Sequence, residues 1–150
     1  MNGAQLHLAL NHIPVVLSMA GLAVLLWGSV CKNFEVKKVG LVLIIATAAF
    51  AGAAFLTGEP AEDTLKKLPA FSKELVHEHE EAGESALIVS IIAGVAALVA
   101  FFLEKKKNKL STYALLITFL VVLISSLAFL RTAHLGGLIR HEEIRTQSKI

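Results

Sequence analysis

The side chains able to do chemistry in this chain are six histidines, His7, His12, His77, His79, His134 and His141, and the carboxylates between Glu74 and Glu84. Imidazole is a common axial ligand of protein haem and a frequent metal ligand. The run His77-Glu78-His79-Glu80-Glu81-Ala82-Gly83-Glu84 is dense in groups that bind iron, manganese or zinc, and Glu74 with His77 forms a Glu-x-x-His unit. On a helix, His77, Glu80, Glu81 and Glu84 share one face while His79 points elsewhere. Two histidines have a glycine one turn on, where a porphyrin needs space: Gly83 follows His79 and Gly137 follows His134. Arg131, one turn before His134, is within reach of a haem propionate. Conventional catalysis has no such support, because the chain has no G-x-S-x-G, no HExxH and no phosphate-binding glycine loop. Cys31 is the sole cysteine, so no disulfide within the chain and no cysteine zinc site can form.

The elements that must carry these residues are membrane helices. Of 150 residues, 55% are hydrophobic and only 17% are charged, and the mean hydropathy is +0.69. That is too apolar for an ordinary soluble domain. A net charge of +2 and 7% aromatic residues give no nucleic-acid surface and no base-stacking platform. Four apolar stretches reach the roughly 20 residues that cross a bilayer, at about 8–30, 39–57, 84–103 and 110–134. Backbone in lipid must satisfy its own hydrogen bonds, so each is a helix. The expected fold is an all-α, single-domain, four-helix up-down transmembrane bundle with both termini on one side. The first stretch lacks a basic flank and is long for a signal peptide, so it is read as the first span. Two connections are short hairpins. The third, 58–83, is longer: Gly58 and Pro60 end the second helix, Leu65 and Leu68 suit a short interfacial turn, Pro69 divides the segment, and helix resumes near Ser72.

Orientation follows from Lys and Arg. The hairpins hold seven basic residues (Lys32, Lys37, Lys38, Lys105, Lys106, Lys107 and Lys109) and the opposite side also holds seven. The hairpins concentrate theirs in far fewer residues, which places them in the cytoplasm and the termini outside, in an inner (cytoplasmic) membrane. All six histidines then fall at the outer ends of the spans or beyond. Counting about 20 residues up from the inner ends puts His12, Glu84 and His134 near one outer boundary, with His7 and His79 one to two turns higher. Plainer roles stand beside these. A boundary histidine can be an interfacial polar group, Arg131 can snorkel to headgroups, and the acidic run can be a solvated helix extension or a docking surface for a cationic partner. Gly21, Gly52 and Gly94 read as helix-packing positions.

Leu6-His7-Leu8-Ala9-Leu10-Asn11-His12-Ile13-Pro14 resembles the opening signature of a bacterial family of small four-span membrane proteins, labelled a domain of unknown function and linked with haem binding. Thr57-Gly58, the His79-x-x-x-Gly83 entry to the third span and Gly136-Gly137 with trailing His141 resemble further parts of its pattern. Leu8 and Glu142 depart from it, since the family often has proline and glycine there. The resemblance implies that His7, His12, His79 and His141 are its functional positions.

Together these readings lead to an expected membrane b-type cytochrome. It would hold haem b through outer-side histidines, one haem with ligands enough for a second. Axial candidates are His12, His79 and His134. His7 or His12 with His79 suits diagonal spans, and His12 with His134 suits depth. Such a protein is an electron carrier or a subunit of an oxidoreductase complex. It would pass electrons from a quinol or partner subunit to an extracytoplasmic acceptor. The alternatives are a non-catalytic accessory or scaffold subunit of a larger complex and an outer-side His/Glu metal-binding protein.

Overall fold

The structure, a computed structural model, describes residues 2–67 and 72–140. Five helices account for nearly all of these: α1 (Gly3–Val30), α2 (Phe34–Leu56), α3 (Gly58–Leu65), α4 (Lys73–Lys105) and α5 (Ser111–Arg140). α1, α2, α4 and α5 are long and apolar enough to cross a bilayer. They run up and down around a square, with α1 beside α2, α2 beside α4, α4 beside α5, and α5 closing on α1. α1 and α4 therefore face each other across one diagonal. This is a multi-pass membrane protein built as a four-helix bundle. Leu, Ile, Val and Phe side chains such as Leu26, Val42, Ile91, Leu98, Leu116 and Ile124 are exposed around it. They form the surface a lipid environment requires.

The two hairpins use one device. Asn33 N–H donates to the Gly28 carbonyl and Lys32 N–H to that of Ser29, with Lys32 at φ 51°. At the second hairpin Asn108 N–H donates to Leu103 and Lys107 N–H to Glu104, with Lys107 also at φ 51°. Each is a Schellman ending that satisfies the last carbonyls and reverses the chain at once. Asn33 then caps α2 by accepting from Val36 N–H. Lys37 and Glu104 form a largely buried ion pair between α2 and α4 at this end of the bundle.

Small residues set the helix spacing. A Cβ on Gly40 would lie 2.6 Å from the Leu25 backbone nitrogen, and one on Gly28 would lie 2.6 Å from that of Lys37. Gly21 rests against Ile44, and Gly94 against Ala48. Gly52 differs from the sequence expectation, because its Cβ would meet only open space and it packs no helix. The buried positions of α1 are Pro14, Ser18, Gly21, Leu25 and Gly28, a 3-4 spacing that continues upward to Asn11 and His7. Such spacing keeps one seam facing the partners.

At the end away from the hairpins, α4 continues past the membrane thickness: its 33 residues span about 50 Å, against roughly 30 Å of hydrocarbon. Ser72 caps its start by accepting from Leu75 N–H. α3 crosses this end. Its Ala61 is buried, and its Pro60 sits so close over Gly3 that a Cβ there would collide with the Pro60 backbone. The described residues of the long connection 58–83 thus form a short helix, α3, and the projecting first turns of α4, which begin where the sequence placed them, near Ser72.

Candidate functional site

A cavity of about 560 Å³ lies at the histidine end, between α1, α2, α4 and α5 and beneath α3. That volume falls in the range of small-molecule and cofactor sites, roughly 300–1,000 Å³. Its walls are apolar, among them Leu8, Pro14, Ala51, Phe55, Leu87 and Phe129. His7 from α1 and His79 from α4 both line it. The two rings meet across the bundle diagonal, with centroids 6.2 Å apart and planes at 90°.

Both imidazoles are held by main-chain carbonyls through the same nitrogen. Nδ1 of His79 lies 3.0 Å from the Thr132 carbonyl oxygen on α5. A carbonyl only accepts, so Nδ1 carries the proton and Nε2 keeps its lone pair. Nδ1 of His7 lies 3.1 Å from the Ala54 carbonyl and 3.0 Å from Thr57 Oγ1. The Thr57 hydroxyl donates its own proton to the Ala54 carbonyl at 2.7 Å, so its oxygen can only accept from His7. The neutral form of each ring is therefore the Nδ1–H tautomer, with Nε2 left as a ligand atom. A metal-binding histidine commonly has its other nitrogen tied in this way, which fixes both tautomer and ring orientation. Each hairpin supplies its own histidine and its own carbonyl: α1 to the end of α2, and α4 to α5.

Gly136 makes the α5 side of this arrangement possible. A Cβ there would stand 3.0 Å from His79 Cε1, so glycine lets the ring approach α5 this closely and any larger residue must push it away. Gly136→Val is expected to displace the His79 ring and lower occupancy of the site with little change in stability. Gly137→Val should do neither, because a Cβ on Gly137 meets nothing within 4 Å. Binding titration and a thermal melt of the two variants side by side check this.

The other sequence candidates are placed as follows. Gly83 lines the cavity one turn below His79. His12, His134 and Arg131 are exposed and do not line it. His141 lies outside the described residues. His77 is exposed at the mouth, with Nε2 3.3 Å from Glu81 Oε1. Glu59 and Glu62 from α3 and Glu80, Glu81 and Glu84 from α4 complete the mouth, and no Lys or Arg lines the cavity among the described residues. Among those residues, no group of three or more His, Cys, Asp or Glu is arranged to hold a metal ion. Asn11, one turn inside His7, lines the cavity and has a buried Oδ1 with no hydrogen-bond partner.

Ala54, Thr57, Thr132, Gly136 and Asn11 were not singled out from sequence as site residues. The first three act through main-chain carbonyls or a capping hydroxyl, which residue type does not advertise. Gly136 and Asn11 did carry a signal, because both continue the 3-4 spacing of the buried seams of their helices. On α5 the seam runs Thr118, Val122, Ser125, Phe129, Thr132, Gly136, and it leaves His134 and Gly137 together on another face.

Fold and site thus define a four-span helical membrane protein with a two-imidazole cavity at one end of its bundle. Comparison of the chain with protein-family models, with curated proteins and with solved structures gives no match.

Proposed function

We propose that this protein is a b-type membrane cytochrome in which His7 and His79 are the axial ligands of one haem. The observation that supports the reading is the pairing itself. Two imidazoles from diagonal helices converge in an apolar cavity, each with Nδ1 tied to a carbonyl and Nε2 left over. Bound there, haem supplies a one-electron couple. The residues of the chain do the rest: the Ala54 and Thr132 carbonyls and the Thr57 hydroxyl orient the ligands, Gly83 and Gly136 leave space, and the apolar walls exclude water. The donor set fits haem at the iron. It fits less at the edge, because among the described residues the carboxylate-lined mouth offers the propionates no Lys or Arg. A site of this kind passes single electrons from a membrane donor, a quinol or a partner subunit, to an acceptor outside. The density of lysines in the hairpins orients the histidine end outward, in an inner (cytoplasmic) membrane.

The test is a dithionite-reduced minus oxidised visible spectrum of protein purified in detergent from cells supplied with haem precursor. A sharp α band at one haem per chain is expected. A flat spectrum refutes the cytochrome, and a colourless chain that purifies only with a larger partner identifies an accessory subunit.

A further inference from the structure

The interior of the bundle is not continuously apolar. One buried cluster, Leu25, Leu41, Ile44, Ala93, Ala97, Ala100 and Val122, fills the hairpin half. A second, Ala51, Ala86 and Phe129, fills the histidine half. Between them every spanning helix buries a hydroxyl: Ser18 on α1, Thr47 on α2, Ser90 on α4 and Ser125 on α5, none more than 2% exposed. Counted from the hairpin ends of their helices at 1.5 Å per residue, all four lie about 18–22 Å up, at one level near mid-membrane.

Three of the four are satisfied within their own helices. Ser18 donates to the Val15 carbonyl, Thr47 to Leu43 and Ser90 to Leu87, at 2.8–2.9 Å. Each spends its proton and keeps an oxygen lone pair. Ser125 differs: its Oγ is buried and has no hydrogen-bond partner. An unpaired hydroxyl in the hydrocarbon region is costly, because no lipid group can satisfy it. Ser126, also buried at this depth, donates to the Val122 carbonyl, so the layer presents one free donor, Ser125, among four acceptors.

From this we infer that the hydroxyl layer binds water at mid-membrane. A water molecule there accepts from Ser125 and donates to lone pairs on neighbouring helices, giving it the two to four partners a buried water needs. A metal cation is the poorer occupant. α1 and α5 carry no carboxylate, α2 has only Glu35 in its first turn, and α4 has none between Glu84 and Glu104. A cation at this depth would lie in low dielectric without a counter-charge. The site is independent of the histidine cavity, and its fate does not depend on whether haem binds there.

The experiment is magic-angle-spinning NMR of the full chain in perdeuterated lipid, read as magnetisation transfer from water to side chains, together with thermal melts of Ser125→Ala. Transfer to Ser125 and Thr47 is expected, and the substitution should lower the melting temperature by about 2–4 °C. Removing a hydroxyl that truly has no partner would do the opposite and stabilise the bundle. Absence of transfer to this layer, or a melting temperature of Ser125→Ala that is unchanged or raised, overturns the water site.

Discussion

Replacing His7 and His79 together by alanine is expected to reduce haem content at least about tenfold and to abolish the low-spin α band. Among the described residues the two rings are the imidazoles that line the apolar cavity from its interior seam, with His77 at the mouth, and each is oriented so that Nε2 is the atom left for iron. Either single substitution leaves one imidazole, which should retain some haem but lose the six-coordinate spectrum. His12→Ala and His134→Ala should leave the spectrum unchanged, since both side chains are exposed outside the cavity. Thr57→Val removes one of the two acceptors at His7 Nδ1 and should weaken binding by about tenfold, the lower range for loss of an orienting partner. Pyridine haemochrome assay and absorption spectra of the six variants decide the matter. Stoichiometric haem with an unaltered α band in the double variant would falsify the ligand assignment while leaving a cytochrome in place.

The second large effect concerns stability. Gly40→Leu is expected to destabilise the bundle by about 3 kcal/mol or more, because its side chain must enter space held by the Leu25 backbone and Cβ. Backbone cannot move aside as a flexible side chain can, so α1 and α2 must separate along their length. Separation would also pull Ala54 and Thr57 away from His7, and cofactor loss should accompany the loss of stability. Gly52→Leu is the matched control on the same helix, where the added atoms meet open space. Its melting temperature in detergent should be unchanged or slightly raised, since glycine is the weaker helix former. Equal destabilisation by the two substitutions would show that helix backbone, not the α1–α2 contact, responds to the change.

The four spans were legible in the sequence because the bilayer leaves few choices. An uncharged apolar stretch of sufficient length must be a helix, short basic connections force neighbouring helices to be antiparallel, and four of them return the chain to its starting side. The gathering of histidines at that end was equally legible, since depth along a helix is a matter of counting residues. Rotation about each helix axis was not, and it is what separates the site from its neighbours. His7 and His12 are five residues apart, about 140° around a helix, so one must turn away when the other faces the interior. Close contact at Gly21, Gly28 and Gly40 fixes which one: the α1 seam that meets α2 runs up to Asn11 and His7 and leaves His12 outside. On α4 the seam through Ala100, Ala97, Ala93, Ser90 and Ala86 continues to Gly83 and His79, leaving His77 exposed at the mouth. On α5 it selects Thr132 and Gly136 over His134 and Gly137. Residue types and their depth were set by the chain itself. Which two imidazoles meet, and which nitrogen each keeps free, was decided only when backbone contacts between helices locked the four rotations together.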